Sequence, residues 1–279
     1  MEDRHSSITG FLKKLTEQIE ITVHEVKIND ENGKLNGLTI AQISDLHITD
    51  FNIELIEHTI DVLNRLKPDI VAMTGDAICN GKKFLPHLKT LFKNIDSKYG
   101  NFACIGNHDH SDGDNSLAIQ NIYNKANFQV LMNNSAKVNV NGETIYLAGA
   151  DDIELGEQNL IAMAKDIPKE AKSVFLTHNP VNFKQLAELN PDLVLAGHTH
   201  GGQIFPAVSK FIYRLIYKSD YISGFYFLEK SKLYVNRGIG TALLSPLIFD
   251  IKLIINTPRV LSRPEISLFK LVSETKNTL

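Results

Sequence analysis

The sequence predicts an α/β protein of packed layers, and two observations carry that expectation. Apolar runs of strand length recur along the 279 residues, and several are separated by stretches whose apolar residues repeat with helical spacing. Strands alternating with helices bury their apolar faces by layering helices onto sheets. No Pro-, Gly- or Ser-rich linker, internal repeat or low-complexity tract interrupts the chain. One domain is therefore expected, with residues 1–37 as its N-terminal helix and strand and residues 38–279 as its body.

The elements follow in order. Residues 8–20 place Ile8, Phe11, Leu12, Leu15 and Ile19 on one stripe, with Lys13, Lys14 and Glu17 off it, and predict an amphipathic helix. A strand over Ile21–Ile28 and a polar turn over residues 29–37 come next. From Leu38 the pattern becomes regular. The apolar run 38–44 ends at Asp45, and Ile53, Ile56, Ile60 and Leu63 mark a helix. The run 69–75 ends at Asp76, and Phe84, Leu88, Leu91 and Ile95 mark another; the run 101–106 ends at Asn107. Short strands are expected at 137–140, 144–150, 173–178 and 192–198, with a helix over 181–190 between the last two. The tail reads as strands at Ile222–Glu229, Lys232–Asn236, Phe249–Ile255 and Glu265–Val272.

Composition excludes several classes. The formal net charge is −3, with 29 basic against 32 acidic residues, so no basic surplus exists for neutralising phosphates and no nucleic-acid partner is expected. Cys79 and Cys104 make no disulfide framework and suit a reducing compartment. No run of 18 apolar residues marks a spanning helix, and the N-terminus lacks the apolar core of a secretory signal. The expectation is a cytoplasmic protein with peripheral contact at the cytoplasmic face of a membrane.

The chemistry is positional. Asp45, Asp76, Asn107, His178 and His198 each stand just past the end of an apolar strand, the rim at which open α/β sheets bind ligands. Adding His47 and His200 gives seven carboxylate, imidazole and amide donors, types that suit intermediate divalent metals. One mononuclear site rarely uses seven. Two cations about 3.5–4 Å apart with a bridging carboxylate use all of them, the arrangement that clamps attacking and leaving oxygens in phosphoryl displacement.

Five ordered motifs, Asp45-Leu46-His47, Gly75-Asp76, Gly106-Asn107-His108-Asp109, Thr177-His178 and Gly197-His198-Thr199-His200, closely resemble those of the calcineurin-like metallophosphoesterase superfamily. The resemblance covers roughly residues 38–240 and implies an α-β-β-α sandwich of two mixed β-sheets flanked by helices. It also implies a first metal at Asp45, His47, Asp76 and His200, and a second at Asp76, Asn107, His178 and His198 with Asp76 bridging. In that family a metal-bridging hydroxide attacks phosphorus. His108 is then the expected general acid and Asp109 the group that fixes its tautomer by a hydrogen bond. Manganese is the first expectation for the metal pair, with iron or zinc suiting the same donors.

Residues 197–205, 178–180 and 234–241 look like the YkuE-like branch, which includes phosphodiesterases and a pyrophosphatase cleaving UDP-2,3-diacylglucosamine. A phosphoester or nucleotide-lipid substrate is the expectation from this likeness. Arg237 is a candidate for a substrate phosphate, weighed against a structural salt bridge. Gly201 and Gly202 let backbone approach the site closely. A phosphoprotein or phosphomonoester phosphatase of the same superfamily is the alternative; a non-catalytic scaffold is the alternative of another class, although such a scaffold is expected to lose ligands. The basic, aromatic segment 204–218 and the apolar insertion 242–257 are candidates for membrane or substrate contact, against ordinary packing. Asp151 and Asp152 are expected to cap a helix, and His110 to be an exposed loop residue. His5, His24, His58 and His87 read as surface or packing groups, and both cysteines as buried structural ones.

Overall fold

Successive side chains of a strand point to opposite faces, so a run that is apolar at every position must be covered on both. Residues 70–74, Ile-Val-Ala-Met-Thr, are buried throughout and show where the two faces go. Ile70 and Ala72 join a core shared by strands of two sheets, whereas Val71 and Met73 join a core shared with helices. The computed structural model that shows this describes residues 19–79, 82–111, 115–202, 219–241, 243–244, 255–256 and 262–274.

The first sheet contains β1 (Glu20–Ile28), β2 (Thr39–Ile43), β3 (Ile70–Thr74), β4 (Asn101–Cys104), β5 (Phe128–Val130) and β14 (Glu265–Ser273), in the order β1-β14-β2-β3-β4-β5. The second contains β6 (Asn134–Val140), β7 (Glu143–Gly149), β8 (Lys172–Leu176), β9 (Leu193–Ala196), β10 (Gly224–Leu228) and β11 (Ser231–Val235), in the order β10-β11-β9-β8-β7-β6. Both are mixed: β14 runs antiparallel to β2, and β6 antiparallel to β7, while β2, β3 and β4 are parallel, as are β7, β8 and β9. A short antiparallel pair joins β12 (Leu243–Leu244) to β13 (Ile255–Asn256).

Helices α1 (Ile53–Leu66), α2 (Leu85–Phe92) and α4 (Asn115–Lys125) cover the first sheet. The short α5 (Leu160–Ala164) and α6 (Phe183–Ala187) cover the second through Met163, Phe183 and Leu186. Three cores separate four layers, the expected α-β-β-α sandwich. Gln42, on an otherwise apolar strand, ties the sheets together, its amide donating to Thr74 Oγ1 at 2.9 Å and to Ala196 O at 2.9 Å. Both hydrogens of this buried amide have partners, which offsets part of the cost of burying it.

Several expectations need revision. The helix expected over 181–190 is a 3-10 turn, Pro180–Asn182, followed by α6. Strand β5 and helices α4 and α5 were not expected; α4 is largely polar and buries mainly Ile119 and Tyr123, one turn apart. The amphipathic stretch 8–20 lies outside the described residues up to residue 18, and Glu20 already begins β1. Segment 204–218 also lies outside them, as does 242–257 apart from β12 and β13, so only Ile255 of the expected strand Phe249–Ile255 is described. No described helix is long and apolar enough to cross a membrane.

Candidate metal centre

Strands β2, β3, β4, β8 and β9 all end on one rim, and the chain turns sharply there. Asp45, His47, Asp76, His198 and His200 each adopt a left-handed φ, between 42° and 69°. Such values are uncommon outside glycine, and a cluster of them marks backbone held by its surroundings for a purpose. They aim the side chains inward. All but His198 are almost fully buried, and the His198 side chain is only 10% exposed.

The structure brings all seven expected donors together in two groups. In the first, His200 Nε2 lies 3.4 Å from Asp45 Oδ1 and 3.1 Å from His47 Nε2. In the second, His178 Nε2 lies 3.0 Å from Asn107 Oδ1 and 3.2 Å from His198 Nδ1. Asp76 Oδ2 belongs to both, at 3.4 Å from His47 Nε2 and 3.2 Å from His178 Nε2. Metal–ligand bonds of about 2.0–2.2 Å put neighbouring ligand atoms about 3–3.5 Å apart, so these spacings are those of coordination edges.

Tautomer chemistry points the same way. His178 Nδ1 faces the carbonyl of Thr74 at 2.8 Å; a carbonyl only accepts, so Nδ1 carries the hydrogen and Nε2 presents its lone pair. That lone pair meets Asp76 Oδ2 and Asn107 Oδ1, which are also acceptors. A cation resolves the repulsion, and without one a proton serves. Burial lowers the His178 pKa, but the Asp76 carboxylate outweighs it and holds the imidazole well above its usual value. Asp76, despite burial, is held well below the carboxylate range by His178. Burial pushes Asp45 up to about 6, and burial with the neighbouring His178 pushes His198 down to about 3. The donor set fits divalent cations.

Around this set the structure revises two assignments and decides between the alternatives for a third residue. His108 is beside the site, its ring edge-on to His47 at 4.7 Å, but Asp109 does not touch its imidazole hydrogen: Nδ1 donates to Cys79 O at 2.7 Å. The fully buried Asp109 carboxylate instead accepts four backbone amides, Asp76 at 2.9 Å, Ala77 at 3.0 Å, Gly106 at 3.1 Å and Ile78 at 3.3 Å. Of the two roles weighed for Arg237, the structure shows the salt bridge, with Glu265 at 2.8 Å and Glu20 at 3.1 Å. Asp151 and Asp152 cap a turn, not a helix: Asp152 Oδ1 accepts the amides of Glu154 and Leu155, and Asp151 Oδ2 that of Glu157.

His110 is no exposed loop residue either. It ends the short helix α3 (Asn107–His110), and its Nε2 bonds Asp151 Oδ1 at 2.7 Å. His58 and His87 are exposed, His24 packs against Tyr234 and Phe225, and both cysteines are buried.

Sequence reasoning missed the roles of three residues at the rim. Glu154 Oε1 stands 3.6 Å from His198 Nε2, and Asn179 holds that oxygen through its amide at 2.9 Å. Ser44 donates to Asp45 Oδ2 at 2.5 Å. Adjacency to the motifs was the available signal for Ser44 and Asn179; Glu154 had none.

Residues 38–202 match the family described as Calcineurin-like phosphoesterase. The chain is similar to the "Uncharacterized metallophosphoesterase YkuE" of Bacillus subtilis (strain 168), 30% identical over 259 residues that cover 91% of this chain and 86% of that one. An "Uncharacterized metallophosphoesterase" of Aquifex aeolicus (strain VF5) is 32% identical over 225 residues, 75% of this chain and 82% of that one. The "UDP-2,3-diacylglucosamine pyrophosphatase LpxG" of Chlamydia trachomatis serovar D is 27% identical over 266 residues, 74% of this chain and 79% of that one.

Proposed function

The chain belongs to the calcineurin-like phosphoesterase family of metal-dependent phosphoester hydrolases, and from that premise we propose that it uses two divalent cations to cleave a phosphodiester or pyrophosphate bond in a lipid-linked substrate. The observation that carries two cations instead of one is Asp76 Oδ2, within 3.4 Å of His47 Nε2 and 3.2 Å of His178 Nε2. Asp45, His47, Asp76 and His200 would hold one cation, and Asp76, Asn107, His178 and His198 the other. Bound there, the pair supplies Lewis acidity toward phosphoryl oxygens and lowers the pKa of water toward neutrality. Manganese is the first candidate, with iron and zinc suited to the same donors.

The chain's own residues supply orientation and a proton. His108 is held at two points, its backbone amide donating to Asp76 Oδ1 at 2.9 Å and its Nδ1 to Cys79 O at 2.7 Å. With Nδ1 committed, Nε2 is the nitrogen that can deliver a proton to the leaving oxygen, the general-acid role. Asp109 serves by anchoring the turn that carries Asp76.

A lipid-linked substrate is supported by the rim. Phe51 is exposed next to Asn52, whose amide donates to His47 O at 3.1 Å, and Ile153 and Leu155 are exposed on either side of Glu154. Apolar side chains flanking both ends of a polar site suit acyl chains around a phosphate. The likeness to LpxG, whose name states a nucleotide-lipid substrate, supports the same class. On this reading the protein works at the cytoplasmic face of a membrane.

The test is hydrolysis by manganese-loaded protein of three substrates side by side: bis-p-nitrophenyl phosphate, p-nitrophenyl phosphate and UDP-2,3-diacylglucosamine. Preferential cleavage of the nucleotide lipid is expected. Cleavage of the generic diester alone removes the lipid assignment and keeps the dinuclear one; preference for the monoester selects the phosphatase alternative. Inactivity on all three with two cations bound favours a scaffold.

A further inference from the structure

Glu265 is a buried carboxylate that plays no part in the chemistry above. It is 1% exposed, begins β14, and collects hydrogen bonds from Thr22 Oγ1 at 2.7 Å, Ser267 Oγ at 3.1 Å and Tyr234 Oη at 2.5 Å on one oxygen. Its other oxygen accepts from Arg237, through Nε at 2.8 Å and through the backbone amide at 3.1 Å. A buried ion pair is a weak device for stability, because desolvation cancels most of its attraction. What it does supply is fixed direction, since the guanidinium fork accepts a carboxylate in few geometries.

That direction leads to the first group of donors. The turn that Arg237 opens lies against the Asp45 loop: Ile239 N donates to Ser44 O at 2.9 Å and Gly240 N to Asp45 O at 2.7 Å. Glu265 N holds the same turn by donating to Gly238 O at 3.1 Å. Gly238, at φ 73°, approaches so closely that a Cβ there would stand 2.6 Å from Asp45 Cβ. On the other side the Arg237 stem supports the left-handed turn after His200, where a Cβ on Gly201 would meet Arg237 Cγ at 2.6 Å and Ser262 Oγ at 2.7 Å. Ser262 Oγ completes the support by donating to His200 O at 2.6 Å. The second group is reached only at one remove, where His198 N donates to the Asp45 carboxylate at 3.0 and 3.1 Å and Asn236 N to Ala196 O at 2.8 Å, so the support from Glu265 falls first on Asp45 and His200.

We propose that Glu265 is a positioning residue for one half of the metal centre: acting through Arg237 and the 236–240 turn, and alongside Ser262, it fixes Asp45 and His200 against each other and so sets the affinity of the first cation without setting that of the second. The inference rests on the two-cation reading. It differs from a general stabilising role in being one-sided.

The experiment is manganese titration of metal-depleted full-length protein, followed by calorimetry and by electron paramagnetic resonance. The resonance separates a spin-coupled pair from a single ion. Wild-type protein should bind two equivalents and show the coupled signal. In Glu265→Gln one equivalent should weaken about 10–100-fold, the range for groups that orient metal ligands, while the other stays at wild-type affinity. At one-equivalent loading the signal becomes that of a lone ion. Ser262→Ala, a smaller change, should weaken the same equivalent to a lesser degree and keeps the test alive if Glu265→Gln unfolds. Two wild-type-like equivalents in both variants overturn the positioning role, as does equal weakening of both equivalents in either. Wild-type protein that binds a single equivalent instead overturns the two-cation reading, and this inference with it.

Discussion

Replacing Asp109 by Asn tests which of two jobs that residue performs. The sequence suggested that it orients His108; the structure gives its carboxylate to four backbone amides, two on each oxygen. Asparagine keeps the shape and replaces one oxygen by a nitrogen that donates. Whichever way the amide turns, two of the four N–H groups lose their acceptor. Burial pushes the Asp109 carboxyl up to about 7; above that pH, where it is ionised, hydrogen bonds to a charged acceptor are worth about 1.5–3 kcal/mol each, so the expected loss is about 3–6 kcal/mol. Typical domains have about 5–15 kcal/mol in total, so the variant folds with a much reduced margin.

The loss is also local. Asp76 N and Gly106 N share Oδ2, and Ala77 N and Ile78 N share Oδ1, so either rotamer releases part of the turn that carries the Asp76 carboxylate, the proposed bridge. A displacement of about 1 Å at a reacting geometry costs about a hundredfold in rate. Urea unfolding of the metal-depleted protein and manganese titration read the two effects separately. Asp109→Asn should lower the unfolding midpoint and weaken metal binding. A variant with wild-type stability and metal affinity, but a shifted pH–rate profile, refutes this reasoning and returns Asp109 to His108.

Other expectations follow from the same contacts. His108→Gln should lose about 10²–10⁴ in kcat with both cations retained, as judged by metal content, because only the proton donor is removed. Asp76→Asn should instead lose metal, since one oxygen serves both groups; retention of two equivalents would remove Asp76 as a bridge. The His110–Asp151 pair predicts a pH dependence. The Asp151 hydrogen bond raises His110 above 6.5, so its stabilisation is complete below that pH and fades as pH rises through the folded value. Burial would raise Asp151, but His110 and the backbone amides of Glu157 and Asp152 together outweigh it and hold the carboxyl below 3.8, so its share is present above 3.8 and fades as pH falls through the folded value. His110→Ala should therefore cost most between 3.8 and 6.5, by about 1.5–3 kcal/mol, and less at alkaline pH; a cost independent of pH excludes the charged pair. Chelation should lower Tm, since a cation at a hundred times its Kd adds about 2.7 kcal/mol per site.

The strands that carry the site were legible because burial on both faces leaves few polar residues, such as Gln42 and Ser173, before the strand ends. Asp45, Asp76, Asn107, His178 and His198 stood out against those runs. Helix α1 was legible by the spacing of Ile56, Ile60 and Leu63, all on its buried face. Helix α4 was not, because a helix that buries two side chains among polar ones carries too weak a period. The partners of the motif residues were also hidden. Glu265 is 28 positions from Arg237, and the pairing of β14 between β1 and β2 is what sets its strand beside the site-bearing strands. Asp109 misled for a different reason: the family resemblance implied a side-chain bond to His108, whereas α3 turns its carboxylate back toward the Asp76 loop.

The left-handed backbone at Asp45, His47, Asp76, His198 and His200 shows what the fold gives up to build the centre. Each such residue costs about 1–3 kcal/mol unless its surroundings compensate. Two carboxylates and several imidazoles are buried in the same volume, where desolvation already pushes Asp45 up to about 6. Nothing in the packing of the two sheets requires these groups. The donors come from both sheets, Asp45, His47, Asp76 and Asn107 from the ends of the first, and His178, His198 and His200 from the second. Their closest approaches cross between sheets, His178 to Asn107 at 3.0 Å and His200 to His47 at 3.1 Å, with His178 to Asp76 and His200 to Asp45 close behind. Without a cation those approaches set acceptor against acceptor or trap a proton on His178; with one they become a cross-link between the two sheets. Metal binding is then coupled to stability as well as to chemistry, because ligands held apart by the chain in two sheets are drawn to a shared ion.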